Sequence, residues 1–237
     1  MSVARFMQMA TSGVAAAPAA GTFVDSATAN ATDTSVTIDY SSISTQSGDV
    51  AIVAVSGTNS TASYPSTSGW TNVDFVKGND TRDGSVSVAY RVLDGTETSV
   101  TAPVNNSFGG AAIILVFRNI DQTTPLDVTH TTQTTIDTNN AVTAAITPSN
   151  DSTIVCLMGA SSEADSSSVT VVNSSLDEVF AEGVTGISGV TTFVAAGYAE
   201  DQAGGSTFAS TTFTASNVDT IVGRQSAGAV TLALRKA

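Results

Sequence analysis

The sequence predicts an all-β protein, an antiparallel β-sandwich of the jelly-roll or immunoglobulin-like kind. Short segments rich in Val, Ile, Thr, Phe and Tyr alternate with Gly, Asn, Asp and Ser turns from residue 22 onward. No long segment has the 3.6-residue hydrophobic period of an amphipathic helix. One run, SVSVAYRV, alternates with a period of two, which places Val86, Val88 and Tyr90 on one face of a strand.

The candidate strands follow one another at short intervals along the chain. They lie at residues 22–28, 35–41, 49–56, 71–77, 85–93, 98–104, 111–120, 126–135, 141–147, 152–160, 168–173, 176–182, 190–199, 210–216 and 229–235. Three apolar runs among them, AIVAV, AIILVF and TIVCLM, do not alternate. We predict that these three are central strands, buried on both faces.

A weak internal repeat divides the chain. SGDVAIVAVSG aligns with SNDSTIVCLMG, DFVKG with VFAEG, and AIILVFR with AVTLALR, in the same order. This order predicts two pseudo-repeats of about 100 residues, at 22–124 and 125–237, joined near DQTTPLD and preceded by a segment at 1–21. The two copies could form separate lobes or share one core, and chance similarity of β-rich segments is the alternative.

The charge balance argues against two classes of partner. The 237 residues include 21 Asp and Glu but only 8 Lys and Arg, which gives a net charge of −13. Such a surface repels phosphate backbones and anionic lipids, so we expect neither nucleic acid nor a membrane as partner. It suits a protein kept soluble outside a cell or in salty water, although a compositional bias of the source organism gives the same balance.

The opening stretch MSVARFMQMATSGVAAAPAAG has some features of a secretion signal. Arg5 is basic and AAAPAAG resembles a cleavage site, but polar residues interrupt the apolar run that a signal needs. We expect residues 1–21 to be an uncleaved assembly arm with Arg5, Phe6, Met7 and Met9 as its anchors. The alternative is an arm folded back on its own domain.

Few residues of the chain are candidates for a catalytic role. Cys156 is the single cysteine and lies in an apolar run, so it forms no intrachain disulfide and is predicted to be a buried hydrophobic residue. His130 is the single histidine, which rules out a multi-histidine metal site and predicts a structural role. Glu178 and Glu182 share one face of a candidate strand and are expected to face solvent. The sequence therefore predicts a non-enzymatic protein without a cofactor.

An aromatic pair marks one candidate ligand site. Tyr64 and Trp70 flank the polar loop YPSTSGW and could stack on a sugar ring. The other interpretation, which we favour for Trp70, is that the tryptophan closes one end of the sandwich core.

An acidic stretch, KGNDTRDGS, is a weak candidate for a calcium site. Asn79, Asp80 and Asp83 could supply oxygen ligands to a hard cation. The spacing does not match a calcium-binding loop, and these residues are also those of a tight turn, which we favour. We therefore predict no metal.

The order of the β segments resembles that of bacteriophage virion surface and tail-associated structural proteins with a duplicated β-sandwich unit. The resemblance rests on GDVAIVAV, SGWTNVDFV, SVSVAYRVLDGTETSVTA, AAIILVFRNID, TPLDV and AVTLALRKA. It implies a non-enzymatic protein of the particle exterior, made in the host cytoplasm. Its partners would be copies of itself, as a homo-oligomer, and the major capsid or tail protein.

Within that class, a capsid decoration or cement protein is the favoured interpretation, because a small sandwich with one arm suits packing in many copies. The alternatives are a tail or fibre component that binds a host-surface carbohydrate or receptor, and a subunit of a cell-surface filament.

Overall fold

Antiparallel strands form all the regular structure of the residues described in the computed structural model, and no α-helix occurs among them. Those residues are 21–58, 63–78, 84–104, 108–136, 140–162, 170–185, 189–216 and 226–237. The predicted arm anchors Arg5, Phe6, Met7 and Met9 and the predicted cation ligands Asn79, Asp80 and Asp83 lie outside them. The predicted all-β class is confirmed.

The strands lie where the alternating β-prone segments predict them. The first seven are β1 (Thr22–Ala31), β2 (Ser35–Asp39), β3 (Val50–Thr58), β4 (Thr71–Lys77), β5 (Gly84–Val92), β6 (Ser99–Pro103) and β7 (Gly110–Arg118). The next eight are β8 (Thr131–Ile136), β9 (Asn140–Val142), β10 (Ser152–Ser162), β11 (Thr170–Val172), β12 (Glu178–Thr185), β13 (Thr191–Gln202), β14 (Thr212–Ser216) and β15 (Ser226–Arg235).

Four antiparallel sheets arise from these strands. Large sheet 1 has the order β1-β7-β3-β5-β4, and large sheet 2 has the order β12-β13-β10-β15-β8. Small sheet 1 pairs β2 with β6, and small sheet 2 has the order β11-β14-β9. The first unit (β1–β7) thus contributes one large and one small sheet, as does the second unit (β8–β15).

The two large sheets pack face to face around a central cluster of buried apolar side chains. Ile52 and Phe117 contribute from large sheet 1, and Leu157 and Leu232 from large sheet 2. All four side chains are fully buried or nearly so. The two units therefore share one core, which was one of the two predicted arrangements.

Each large sheet also carries a small sheet on its outer face, so that the fold has four β layers. Outer cluster 1 joins small sheet 1 to large sheet 1, for example through Ile38 and Val53. Outer cluster 2 joins small sheet 2 to large sheet 2, for example through Phe213 and Cys156. Strands β3 and β7 are buried on both faces, as predicted for AIVAV and AIILVF, and so are residues 152–161 of β10, which contain TIVCLM.

The strand order of the first unit recurs in the second. Replacing β1, β7, β3, β5 and β4 by β8, β15, β10, β13 and β12 converts the order of large sheet 1 into that of large sheet 2. The packing of the two large sheets has the same correspondence. Strand β1 lies against β12, and their counterparts β8 and β4 lie against each other. Among the described residues of the first unit, no strand corresponds to β11. Descent of the two units from one repeated sequence stays a prediction.

The residue register of the aligned repeat is wrong by one position in β3 and β10. The alignment placed Ile52 opposite Ile154, but Ile52 lies in the central cluster and Ile154 in outer cluster 2. A shift of one residue reverses the face of every side chain in a strand. The pairing of β3 with β7 and of β10 with β15 gives the register that the structure has. In that register, Val50 corresponds to Thr153.

The charged residues at the ends of the aligned strands also differ in their partners. Arg118 donates from two nitrogens to the carboxylate of Asp49, each at 2.8 Å, and Asp49 is only 2% exposed. Arg235, aligned with Arg118, lies instead 3.6 Å from Asp121 in the connection between the units. The buried ion pair is therefore a feature of the first unit.

Candidate functional site

The loop that carries Tyr64 and Trp70 is held against the first unit. The Ser66 amide donates to the Thr101 carbonyl of β6 at 2.9 Å. Both aromatic rings are half-buried and pack against outer cluster 1. Burial, and then the negative charge of Asp74, raise the pKa of Tyr64. This packing agrees with the core role considered for Trp70, and sugar binding by the pair stays a prediction.

His130 forms a contact between the two units. Its Nε2 lies 2.8 Å from Oδ2 of Asp74 on β4, and the other carboxylate oxygen of Asp74 accepts the Phe75 amide at 2.7 Å. The bond joins the edge strand of large sheet 1 to the segment that leads into β8. The bond thus links the two units, and a structural role for His130 stays a prediction.

Cys156 lies in the middle of β10, fully buried in outer cluster 2. Burial raises the pKa of its thiol to about 12. Only the thiolate is a strong nucleophile, so this environment makes the side chain unreactive.

We therefore expect no reaction of Cys156 with Ellman's reagent in the native protein at neutral pH. In denaturant, the single cysteine of the chain should react completely. The measurement is the absorbance of the released thiolate, with and without denaturant. Rapid reaction of the folded protein would contradict the burial of this side chain.

Glu178 and Glu182 share a face of β12 but have separate partners. Glu182 accepts hydrogen bonds from Thr28 and Asn30 of β1, both at 2.8 Å, and so joins the edges of the two large sheets. Glu178 accepts a hydrogen bond from the Tyr198 hydroxyl at 3.3 Å. Within the described ranges, no group of three or more His, Cys, Asp or Glu side chains could hold a metal ion.

A cleft of about 710 Å³ opens on the second unit between small sheet 2 and β12. It is lined by residues 171–179 and by Ser210, Thr211, Thr212 and Thr214. At the same place in the first unit, Trp70 directly precedes β4 and packs on the core. Directly before β12 the second unit has Leu176, which packs on outer cluster 2 and lines the cleft, and Asp177; Ser174 and Ser175 precede them.

The Asn173 amide forms part of the cleft wall and is 8% exposed. Its Oδ1 accepts hydrogen bonds from the Ser175 amide at 3.0 Å and the Thr211 hydroxyl at 2.7 Å. The backbone donor fixes the orientation of the side-chain amide, since an oxygen must face it. The Nδ2 group has no hydrogen-bond partner among the residues that the structure describes. A buried donor without an acceptor is costly, so this group favours an acceptor supplied from outside.

The rest of the cleft combines acidic groups with one apolar side chain. Asp177 and Glu178 line it, and none of its described lining residues is basic. Val172 of β11 is 59% exposed and is the one large hydrophobic side chain so exposed within the described part of the chain. The cleft therefore suits a ligand that carries hydrogen-bond acceptors, apolar surface and a positive charge.

An aromatic and acidic cluster lies beside the cleft. The Tyr198 ring stacks on Phe23 of β1 with 4.5 Å between ring centroids, and Phe117 and Phe180 complete the cluster. Burial, then interactions with Glu178 and the charges of neighbouring carboxylates, raise the pKa of Tyr198 to about 12. The folded protein thus holds this proton more strongly than the unfolded chain does.

This pKa shift predicts a loss of stability at alkaline pH. The stabilising contribution of Tyr198 is complete below the unfolded pKa of about 10 and is lost as pH rises towards 12. Urea unfolding at a series of pH values should show this fall. The fall should be smaller in Tyr198→Phe, which cannot ionise, and an identical pH profile in that variant would contradict the assignment.

Comparison with known proteins identifies no relatives. The chain matches no protein-family model, and no significant match was found among curated proteins or solved structures. The resemblance to virion proteins therefore stays a prediction. In the residues described above, no helix has the length and apolar character needed to cross a membrane.

The candidate sites differ in how far the structure brings their residues together. Tyr64 and Trp70 are in one loop region and share one cluster, whereas the cleft joins two segments far apart in the chain. Asn173 is visible in the sequence only as part of an N-x-S triplet, which is expected by chance in a chain rich in Ser and Thr. The pairing of β11 with β14 is what creates this site.

Proposed function

We propose that this protein is a non-enzymatic structural protein of a bacteriophage particle, a capsid decoration or cement protein on its exterior. It packs through its β-sandwich and through the N-terminal arm, against its own copies and against the major capsid protein.

The observation that carries this proposal is the four-layer arrangement with hydroxyl-rich outer surfaces. Small sheet 1 exposes Ser35, Thr37 and Asp39 along β2, while Val36 and Ile38 point to the core. Thr212 and Thr214 of small sheet 2 are likewise exposed. The central strands of both large sheets are covered on both faces. Apolar side chains thus pack inside the protein, and the polar faces are left to contact water and neighbouring proteins.

The ordered start of β1 supports a role for the arm. Residues from Thr22 onward pair with β7, and the Gly21 carbonyl accepts a hydrogen bond from Thr153 at 3.1 Å. An arm that precedes this point is attached to both large sheets. Force applied to the arm would therefore be transmitted to the central cluster, as a stable contact with a particle requires.

Immunogold labelling of intact particles from the source lysate tests the proposal. The antibody is raised against residues 22–237, and an unrelated antibody is the control. Even labelling of particle heads is the expected result. Labelling confined to tails overturns the decoration role in favour of a tail or fibre component. Particles without label overturn the virion proposal as a whole, and filament formation by the purified protein is then the test to make.

A further inference from the structure

The described chain begins beside the cleft. Phe23, two residues after Gly21, stacks on Tyr198, and its amide donates to Glu200 at 2.8 Å. The Tyr198 hydroxyl donates to Glu178, which lines the cleft. Residues 1–20 therefore join the protein next to this site.

The chemistry of that segment complements the cleft. The stretch ARFMQM at 4–9 carries the cation Arg5 and three large apolar side chains, and no acidic residue precedes Asp25. The cleft offers carboxylates at Asp177 and Glu178 and the exposed Val172. An extended peptide also presents carbonyl oxygens, the acceptors that the unpartnered Asn173 Nδ2 needs.

We infer that residues 4–9 of the chain dock in the cleft of the same molecule in the isolated protein. Residues 10–20 are the tether and reach roughly 36 Å when extended. A short tether also gives a high effective concentration, on the order of millimolar, so that modest contacts suffice. The inference does not depend on the proposed function. An arm that contacts a neighbour on a particle must first leave its own cleft.

Binding of a synthetic peptide to the full chain tests the inference. The peptide has the sequence of residues 1–12, and the receptor is the full chain with Arg5→Glu and Phe6→Ser, whose own arm cannot dock. Calorimetry should show binding to this receptor. Binding to the wild-type chain should be at least about tenfold weaker, because its own arm competes at high effective concentration.

Charge and surface variants locate the site. In the same receptor, Glu178→Lys should weaken binding of the wild-type peptide about tenfold and improve binding of a peptide with Arg5→Glu. Val172→Ser, a change at an exposed side chain, should also weaken binding of the wild-type peptide. Asp33→Lys is the matched control, since this exposed acid follows the far end of β1, and it should leave the affinity unchanged.

Four results would overturn the inference. The first is absence of peptide binding to the folded receptor. The second is equal binding to the receptor and the wild-type chain, and the third is equal loss in Asp33→Lys and Glu178→Lys. The fourth is a wild-type oligomer that the peptide dissociates into monomers, because the arm would then occupy the cleft of a second copy. None of these results bears on whether the protein labels particle heads, so the two proposals fail separately.

Discussion

Replacing Phe117 by alanine is expected to lower the free energy of unfolding by about 4 kcal/mol. The side chain is fully buried at the end of β7, between the two large sheets. Its ring makes edge contacts with Phe23 and Tyr198, each with 5.8 Å between centroids. The substitution leaves a cavity where both units meet, and close-packed strands cannot collapse to fill it. Urea unfolding followed by circular dichroism measures the loss.

Phe75→Ala is the matched control for this prediction. Phe75 lies on the edge strand β4 and is half-buried, so the same truncation should cost only about 1 kcal/mol. A loss for Phe117→Ala no larger than for Phe75→Ala would show that the central cluster does not hold the sheets together.

The shared cluster also predicts that the two units unfold together. Trp70 fluorescence reports on the first unit, and exposure of the Cys156 thiol reports on the second. A two-state transition gives coincident curves for different probes. Separate midpoints would mean that each outer cluster sustains its own unit without the other.

The sequence predicted the strands well because their signal is local. Every segment predicted as a strand overlaps an observed one, and burial on both faces of β3, β7 and β10 follows from their unbroken apolar runs. Pairing was not predicted. Strand β1 pairs with β7, more than seventy residues later, through backbone groups that are alike in every residue. Side-chain patterns therefore carry little information about partners.

The cleft could not be predicted for a related reason. Its wall includes several Ser, Thr and Asn residues, which individually indicate turns, and its two segments, 171–179 and 210–214, come together only through small sheet 2. Tyr64 and Trp70 are unusual aromatic residues in a polar stretch of sequence, yet both rings pack on outer cluster 1. In this fold, the aromatic residues near the start of β4 fill space on outer cluster 1.

Replacing Gly84 by alanine is expected to lower the free energy of unfolding by about 3 kcal/mol. Gly84 begins β5 in large sheet 1, where backbone atoms of large sheet 2 lie against it. A Cβ there would lie closest to the Ser226 carbonyl oxygen and 2.5 Å from Cα of Ala160. Backbone cannot rotate away as a flexible side chain can. The two sheets must separate locally, which also strains the bond from the Gly84 amide to Oγ of Ser226. Thermal and urea unfolding give the change.

Gly205→Ala separates this crowding from the general cost of replacing glycine. Gly205 has a φ of 76° and no atom within 4 Å of an added Cβ, so its substitution should cost about 1 kcal/mol from backbone strain alone. Gly84 has no such backbone strain, and its larger loss would come entirely from contact between the sheets. If Gly84→Ala is instead as stable as the wild-type chain, the two large sheets are farther apart at this end than their packed backbones indicate.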